Sequence, residues 1–503
     1  MAFLKKIKKF NQRVAIIDKN GKFTYEQLLN NSLNLSSQMQ NIINQQQKQD
    51  QSLKKILFLT DPDINYASVQ LATWGMKGVT VPMSIKMTPS EAEYYIQDSQ
   101  ADLIVTQPHY EDRFRTIQEF KNIPMIILNK LNLNESNLEL PQTSDQDDNM
   151  ILYTSGTTGK PKGVVHKFKS IKSQIEILSE AWGWSQDDKI LNVLPLHHLH
   201  GILNVVNCAL WNGAQLEMHD KFDTKAVWSA LLRSRDDPLS LSLFMAVPTI
   251  YYNLIKYYDD HEGQINSLDQ NELKQRLQRL RLMISGSASL PEPVMARWES
   301  ISGHTLLERF GMTELGMALS NPLNGTRRSG YVGYPLPHIK AALKDLEKGN
   351  IIEEGINDKE GELLIQSPCM FDRYLNKEKE TAESFTDDGW FKTGDCAISR
   401  LSQDIIKKSG YKISALEIEN RLLQNSEVAE VAVFGIPDEK HGEEIACMLV
   451  PKSKTNYDSK ILENYCEEHL SSYKIPRKWI TVEEIPKNAM GKVNKKELKK
   501  VFQ

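Results

Sequence analysis

Short apolar runs rich in branched side chains alternate with longer amphipathic stretches through residues 1–400. Apolar runs of about four to eight residues are typical of buried strands, and the longer stretches are typical of helices. Clear strand candidates are 55–60, 78–83, 102–106 and 125–128. This alternation predicts an α/β fold in which helices are layered on largely parallel sheets.

The stretches between these runs carry helix and loop signals. Residues 89–99 (PSEAEYYIQDS) predict a helix, with Ser90 as the N-cap ahead of Glu91 and Glu93. The glutamine-rich segment 40–51 predicts a surface loop or a helix end, and the polar segment 131–149 predicts a connector.

The pattern changes towards the C-terminus. Residues 428–434 and 444–450 are predicted strands, and residues 414–424 and 459–470 are predicted helices. These elements fit a small α+β module of about 100 residues, which is a common domain size. We therefore predict two domains, a large one at residues 1–399 and a small one at residues 400–503.

The composition argues against several function classes. Lys and Arg number 61 against 65 Asp and Glu, a net charge of −4, so no basic excess points to a nucleic-acid partner. No run of about 18 apolar residues is present, so we predict no membrane span. The five cysteines form no C-x-x-C pair, which argues against a disulfide framework or zinc site and favours a reducing compartment.

The N-terminal segment 1–13 (MAFLKKIKKFNQR) contains four lysines, one arginine and no acidic residue. That composition is compatible with a short organelle-targeting helix. The absence of serine and the single arginine are equally compatible with a solvated basic helix. Both interpretations stay open at this stage.

The segment 153–163 (YTSGTTGKPKG) has the composition of an anion-binding loop. Four hydroxyl side chains, three glycines and two lysines fall within eleven residues, after the apolar run 150–152 and before a stretch with a helical pattern. Glycine lets backbone N–H groups approach an anion, hydroxyl groups donate hydrogen bonds and lysines supply positive charge. We predict that this loop binds a polyphosphate.

An ordinary nucleotide-binding P-loop does not fit this segment. That motif needs Gly, four residues, and then Gly-Lys followed by Ser or Thr. Here Pro161 follows Gly159 and Lys160, and Thr154 occupies the position of the first glycine. The remaining alternative is a glycine-rich turn with incidental hydroxyl groups.

The chain as a whole resembles the adenylate-forming enzymes, which include acyl-CoA synthetases, luciferases and the adenylation domains of peptide synthetases. The resemblance runs from residues 13–18 to residues 491–492. A single motif would be weak, but seven follow one another in the family's order: YTSGTTGKPKG (153–163), LPLHHLHG (194–201), ERFGMTE (308–314), GELL (361–364), GWFKTGD (389–395), DIIKKSGYKISALEIE (404–419) and PKNAMGK (486–492).

Within that family the sequence is most similar to the malonyl-CoA synthetases. The similar segments are PLHHLHG (195–201), FMAVPTIYY (244–252), RLMISGSASLP (281–291) and HTLLERFGMTELGMALSNPL (304–323). The resemblance implies a large multi-layer N-terminal AMP-binding domain and a small, mobile α+β C-terminal domain. It also implies a two-step reaction, in which malonate and ATP form malonyl-adenylate and diphosphate, and CoA then displaces AMP.

The resemblance also assigns roles to residues. It implies that Glu314 binds Mg²⁺, that Thr313 contacts the α-phosphate and that Lys492 is the catalytic lysine. Asp395 would accept the ribose hydroxyls with the help of Arg400, and Phe310 would stack on adenine. The remaining implied ATP and AMP contacts are Thr154, Ser155, Gly156, Thr157, Thr158, Gly159, Lys160, Lys162, Gly286, Ser287, Ala288, Glu308, Arg309, Gly311 and Met312.

Fewer residues bear on the choice of acid. A buried carboxylate needs a cation, and Arg281 matches the arginine that malonate-using members place in the acyl pocket. Thr249 matches a hydroxyl that lines the same pocket. The alternative for Arg281 is a helix-end arginine beside Arg276 and Arg279. His198 and His200 match the acyl and CoA side, and they are equally compatible with packed loop histidines.

One segment departs from the family pattern. Only residues 396–399 separate Asp395 from Arg400, where relatives carry a longer β-hairpin, and Ser399 and Ser409 replace glycines. The hinge and CoA contacts are expected nearby, at Ser402, Asp404, Lys407 and Gly410. Three alternatives follow: an active malonate–CoA ligase or other short- or medium-chain acyl-CoA synthetase, a nucleotide-binding relative with impaired catalysis, or an incorrectly assigned splice product of an active enzyme.

The expected small-molecule partners are malonate or methylmalonate, ATP and CoA, with Mg²⁺ as cofactor. We expect no nucleic-acid partner and a monomer or weak oligomer. The resemblance favours a mitochondrial location, with a cytoplasmic one as the alternative.

Overall fold

The computed structural model describes residues 2–45, 53–115, 123–136, 144–154, 160–261, 265, 268–352, 359–399, 405–408, 411–438, 442–452, 459–486 and 495–502. Contacts divide the chain into two compact units. The first consists of Met1–Leu323, Arg327–Ala341 and Leu364–Thr393, and the second of Asn324–Thr326, Ala342–Leu363 and Gly394–Gln503.

The first unit contains a nine-stranded sheet in the order β15-β14-β13-β12-β11-β9-β10-β1-β2. The six strands from β13 to β1 in this order are parallel to their neighbours. The nine strands are β1 (Val14–Asp18), β2 (Gly21–Thr24), β9 (Lys189–Asn192), β10 (Gln215–Met218), β11 (Leu243–Ala246), β12 (Leu282–Ser285), β13 (Leu307–Met312), β14 (Gly316–Ser320) and β15 (Tyr334–Pro335).

A second sheet of the same unit has seven strands in the order β18-β8-β7-β4-β3-β5-β6. The five strands from β7 to β6 pair in parallel, and β8 and β18 are antiparallel. The strands are β3 (Lys55–Leu59), β4 (Val79–Pro82), β5 (Leu103–Thr106), β6 (Met125–Ile127), β7 (Asp148–Thr154), β8 (Lys162–Lys167) and β18 (Arg373–Tyr374). The four predicted strands are β3 to β6, so the prediction of largely parallel sheets is confirmed.

Helices surround these two sheets. They are α1 (Ala2–Ile7), α2 (Tyr25–Gln45), α3 (Ile64–Gly75), α4 (Pro89–Ser99), α5 (Glu111–Arg115), α6 (Phe168–Ala181), α7 (Cys208–Asn212), α8 (Thr224–Leu231), α9 (Pro248–Asp260), α10 (Gln270–Leu277), α11 (Glu292–Ser302) and α12 (Glu378–Glu383), with a π-helix at His200–Asn207. Among the described residues, no helix is long and apolar enough to cross a bilayer.

Two local predictions need correction. The N-cap of α4 is Thr88, not Ser90: its side chain accepts from the Glu91 N–H, and Glu91 bonds back to the Thr88 N–H as a capping box. The segment after the glycine-rich loop is strand β8 before it is a helix, because Val164 and Val165 are fully buried in pairing with β7. Strands β7 and β8, on either side of the loop, are therefore antiparallel neighbours.

The N-terminal helix α1 is part of the core. Phe3, Leu4 and Ile7 are fully buried, and the Phe3 ring lies 5.3 Å from that of Trp74. The Lys6 ammonium lies 4.3 Å from the ring centre of Trp211. The apolar face of this helix is therefore packed in the core, which differs from the expectation of a fully solvated basic helix.

The second unit contains a sheet in the order β21-β20-β23-β22, with β24 parallel to β23. Its elements are β20 (Ile405–Lys408), β21 (Tyr411–Ser414), α13 (Ala415–Leu422), β22 (Val428–Asp438), β23 (Gly442–Pro451), α14 (Ser459–His469), β24 (Lys478–Thr481) and α15 (Lys495–Leu498). The predicted strands and helices of this region are all present. A further sheet has the order β16 (Lys340–Asp345), β17 (Lys359–Gln366) and β19 (Phe391–Ser399).

Candidate active site

The parallel strands of the nine-stranded sheet bring most predicted site residues to one edge. Strands β9, β11, β12 and β13 run in parallel, and their carboxyl ends therefore lie at the same edge of the sheet. In open α/β sheets this edge is where ligands bind. The residues that follow these four strands include the predicted Thr249, Gly286, Glu314 and the histidines of 197–200.

A buried arginine of β13 packs against Gly286, the residue that follows β12. Arg309 is 3% exposed, and a Cβ atom on Gly286 would stand 2.5 Å from its Nε atom. Only glycine at position 286 leaves room for this guanidinium group. Burial lowers the pKa of Arg309 to about 9, so it still carries a positive charge at neutral pH.

Ser287 connects Arg309 to a histidine of the π-helix. Nη2 of Arg309 donates to the Ser287 hydroxyl at 3.1 Å, and that hydroxyl lies 3.2 Å from Nδ1 of His200. Burial, and then the charge of Arg309, holds the pKa of His200 well below its usual value, so its ring is neutral. Ser287 can then donate to Nδ1, which leaves the proton of His200 on Nε2.

Two donors of this group have no hydrogen-bond partner among the described residues. They are Nε of Arg309 and Nε2 of His200, and both atoms are buried. No described acidic side chain forms an ion pair with Arg309. Unpaired buried donors are costly, and a buried cation without a counter-ion is costlier still. The cluster of His200, Ser287 and Arg309, which we call the arginine cluster, has the chemistry of an anion site.

The next acidic residue, Glu308, is only 5% exposed. Burial raises its pKa to about 7, and backbone N–H groups of Gly330 and Leu290 partly offset that effect. Phe310 is half-buried. Position 311 must be a glycine, because a Cβ atom there would lie 2.3 Å from the carbonyl oxygen of Gly316.

Residues of β8, of β18 and of the segment just before β18 hold Thr313 and Glu314 in place. Nε2 of His166 lies 2.8 Å from the carbonyl oxygen of Thr313, and the Phe371 N–H donates to the carbonyl oxygen of Glu314 at 2.7 Å. Burial lowers the pKa of His166 to about 4, so the neutral ring is a simple donor to that carbonyl. The hydroxyl of Tyr374 donates to Oε1 of Glu314 at 2.9 Å.

The described ends of the glycine-rich loop face aromatic rings. The Lys160 ammonium lies 5.3 Å from the ring centre of Tyr94, whose hydroxyl donates to the Pro161 carbonyl at 2.7 Å. The Lys162 ammonium lies 4.9 Å from the ring centre of Tyr374. Thr154 ends β7. The predicted contacts Ser155, Gly156, Thr157, Thr158 and Gly159 lie outside the described residues.

The structure gives Arg281 other partners than the predicted carboxylate of a substrate. Arg281 precedes β12, so it lies at the opposite end of that strand from Gly286. Its Nε and Nη2 atoms bind the two oxygens of Asp188 at 2.7 and 2.8 Å, and Nη1 donates to the Trp182 carbonyl. The prediction for Arg281 therefore needs correction: its donors are engaged in an ion pair away from the site.

Thr249 and His198 are both exposed side chains, and their predicted roles stay predictions. Thr249 is exposed in the first turn of α9, at the carboxyl edge of the sheet. His198 is exposed and its ring contacts His197 at 4.1 Å. His200, not His198, belongs to the arginine cluster.

The other predicted residues lie at the following positions. Asp395 is exposed on β19, in the second unit. Ala288 is exposed after β12, and Met312 ends β13. Lys407 lies on β20, opposite Lys412 of β21. Arg400, Ser402, Asp404, Gly410 and Lys492 lie outside the described residues.

Sequence reasoning missed His166 and Tyr374 at the site. Neither belongs to the motif that contains Glu314, and their contacts to residues 313 and 314 span 147 and 60 positions of sequence. The one sequence signal was the short branched run within residues 162–167, which is compatible with a strand that contains His166.

Comparison with known proteins gives consistent matches. The AMP-binding enzyme family model matches residues 3–375, and the model of the AMP-binding enzyme C-terminal domain matches residues 417–492. A mitochondrial malonate–CoA ligase ACSF3 of Xenopus laevis is 40% identical, over 97% of this chain and 90% of the relative.

Solved structures agree in fold. ATP-bound MatB from Rhodopseudomonas palustris has a TM-score of 0.67 and 26% identity, with 99% of each chain covered. A malonyl-CoA ligase ternary product complex with methylmalonyl-CoA and AMP bound has a TM-score of 0.65 and 27% identity, covering 95% of this chain and 97% of that one.

Proposed function

This chain belongs to the AMP-binding enzyme family, and we propose that it is an AMP-forming malonate–CoA ligase. It converts malonate, ATP and CoA to malonyl-CoA, AMP and diphosphate. Malonate attacks the α-phosphate of ATP to form malonyl-adenylate, and the CoA thiol then displaces AMP from the acyl carbon.

The proposal that the acid is a dicarboxylate rests on the arginine cluster. A dicarboxylate needs one carboxylate for the reaction and a counter-charge for the other. Nε of Arg309 and Nε2 of His200 are buried, unpaired donors next to a positive charge that has no acidic partner among the described residues. We assign this cluster, with Ser287, to the distal carboxylate of malonate. Arg309 replaces Arg281 in that role, and Thr249 lies at the same sheet edge.

The nucleotide is proposed to bind beside this cluster. Residues 154–160 and Lys162 would hold the β- and γ-phosphates through backbone N–H groups, hydroxyls and two ammonium groups. Gly286 and Ala288 would border adenine with Phe310, and Glu308, Gly311 and Met312 would complete that wall. Asp395 and Arg400 would bind the ribose hydroxyls, since a carboxylate offers two acceptor oxygens.

Glu314 fits a magnesium ion. It is 8% exposed, Tyr374 binds its Oε1, and its other oxygen has no partner among the described residues. A carboxylate oxygen together with phosphate oxygens is the ligand set that Mg²⁺ prefers. Bound there, the ion would neutralise charge on the β- and γ-phosphates. Thr313 would contact the α-phosphate, and Lys492 would stabilise the charge that develops during the attack.

The second step is proposed to use a different pose of the C-terminal domain. We keep the predicted limits, residues 1–399 and 400–503, with a hinge at Ser402–Asp404 and CoA contacts at Lys407 and Gly410. A domain rotation needs only a few residues that absorb the backbone change. We also propose use of methylmalonate, a mitochondrial location and a monomer or weak oligomer.

The short segment between Asp395 and Arg400 supports a second candidate, a nucleotide-binding relative with impaired catalysis. Diphosphate release separates the two candidates. The purified chain should release diphosphate with malonate, less with methylmalonate, and little with acetate or octanoate. No release with any acid would refute the ligase. Release with acetate or octanoate but not malonate would refute the dicarboxylate site. Sequencing the transcript across codons 395–405 tests the splice alternative.

A further inference from the structure

Tyr374 touches both charged partners of the proposed nucleotide site. Its hydroxyl donates to Oε1 of Glu314 at 2.9 Å, and the Lys162 ammonium lies 4.9 Å from its ring centre. Tyr374 is 6% exposed, so both contacts are shielded from bulk water. Phe371, Asp372 and Leu375 bind backbone groups on either side, at Glu314, Val165 and Gly163. Tyr374 is thus fixed by strand β18 between the loop lysine and the acidic residue.

From this geometry we propose that Tyr374 is a positioning residue, which orients the Glu314 carboxylate for Mg²⁺ and supports Lys162 for the phosphates. This inference rests on the proposed function. The hydroxyl occupies one oxygen of Glu314 and leaves the second oxygen for the ion. The ring face attracts an ammonium group electrostatically, which limits where Lys162 can point.

An ionised carboxylate accepts hydrogen bonds and cannot donate them, so the Tyr374 hydroxyl is the donor in this pair. A partner that orients a metal ligand typically contributes about 10- to 100-fold to metal affinity or activity.

The two contacts can be removed separately. Tyr374→Phe deletes the hydroxyl and keeps the ring, while Tyr374→Leu deletes both. We expect Tyr374→Phe to raise the Mg²⁺ concentration for half-maximal activity about tenfold, with KM for malonate within about twofold. Tyr374→Leu should in addition raise KM for ATP. Mn²⁺ binding in the presence of a non-hydrolysable ATP analogue can be measured by electron paramagnetic resonance without turnover. In Tyr374→Phe the Mn²⁺ affinity should also fall about tenfold.

A matched control is Tyr110→Phe. The hydroxyl of Tyr110 donates to Oδ1 of Asp61 at 2.6 Å, which is also a tyrosine–carboxylate pair in this unit. Tyr110→Phe should lower the denaturation midpoint about as much as Tyr374→Phe does, and it should leave the Mg²⁺ dependence of activity unchanged. A double-mutant cycle of Tyr374→Phe with Glu314→Gln should be strongly non-additive if the tyrosine acts through Glu314.

The outcomes distinguish the inference from the proposed function. If the unchanged enzyme releases no diphosphate with malonate, the proposed function fails, and Mn²⁺ binding still tests Tyr374. If it is active but Tyr374→Phe behaves like Tyr110→Phe, or the cycle is additive, the positioning role is refuted. A Tyr374→Phe chain that cannot fold also refutes it, because the hydroxyl would then serve the fold.

Discussion

Arg281 and Asp188 form a two-pronged ion pair, with Nε–Oδ1 and Nη2–Oδ2 distances of 2.7 and 2.8 Å. Burial alone would raise the pKa of Asp188, but the bonds from Arg281 and Ser242 lower it. Asp188 is nearly inaccessible, with 3% of its side chain exposed. The pair joins the segments before β9 and β12, so its role is in the fold.

Replacing Arg281 with alanine should therefore affect stability more than substrate choice. We expect a loss of about 2–4 kcal/mol in the free energy of unfolding, because a buried carboxylate is left unpaired. KM for malonate should stay within about threefold. Urea unfolding and steady-state kinetics check both values, and Asp188→Asn should reproduce the loss. A stable Arg281→Ala enzyme that no longer uses malonate would restore the carboxylate role of Arg281.

Arg309→Lys should reduce malonate use selectively. Truncation of one partner in a buried, hydrogen-bonded charge pair costs about 2–5 kcal/mol, which includes a loss of about 100-fold. We expect kcat/KM for malonate to fall by about that factor, with KM for ATP changed much less. Arg327→Lys is the control, since Arg327 is a half-buried arginine that donates to the carbonyls of Pro322, Thr305 and Leu323. Equal losses in both variants would contradict the assignment.

Lys492→Ala should separate the two half-reactions. The first step builds negative charge on phosphate oxygens, and removal of one stabilising group in such a site typically costs about 10²- to 10³-fold. Diphosphate release should fall by that factor, whereas transfer from supplied malonyl-adenylate to CoA should be largely kept. Lys496→Ala, on the same lysine-rich tail, should change neither step. Equal loss in both half-reactions would contradict a role confined to adenylation.

His166 should make the folded state sensitive to acid. The unfolded imidazole takes up a proton near pH 6.5, but burial lowers the pKa of the folded one to about 4. Stability is therefore fully present above pH 6.5 and is lost as the pH falls from 6.5 to 4, by about 3 kcal/mol. In His166→Gln, the free energy of unfolding should change less between pH 6.5 and pH 4 than it does in the unchanged protein. Replacement of the exposed His261 should leave the curve unchanged, and no difference between the two variants would contradict the prediction.

Phe3→Ala should destabilise the first unit although it changes the third residue of the chain. Phe3 is fully buried between the rings of Trp74 and Trp211, and removal of a buried phenyl ring costs about 3–5 kcal/mol. Lys5→Ala, on the exposed face of the same helix, should cost less than about 0.5 kcal/mol. Thermal unfolding compares them, and equal midpoints would contradict core packing of α1.

The sequence predicted what depends on local pattern. The strand at Lys55–Leu59 and the helix at Pro89–Ser99 follow from apolar runs and periodicity, and both are present. The cap was misplaced by two residues, because Thr88 and Ser90 carry the same capping chemistry and only the fold selects one. Strand β8 was missed, because a short branched run beside a helix gives no sign of its pairing partner.

The side-chain contacts of the site could not be predicted in this way, because they join residues that are far apart in the sequence. Arg281 and Asp188 are 93 positions apart, and Ser287 and His200 are 87 apart. Arg281 and Arg309 stand in two separate motifs, and only the strand direction decides which of them lies at the carboxyl edge of the sheet. The motif-based roles of Asp395 and Lys492 stay predictions.

The close approach of Gly286 and Arg309 also links the two positions in evolution. Any side chain at 286 collides with the guanidinium group, so a first substitution at 286 is harmful while Arg309 remains. Loss of Arg309 first would remove the charge and open a space that a side chain at 286 could then fill. A drift of this protein towards monocarboxylic acids should therefore proceed in that order, and directed evolution that starts at position 286 should stall.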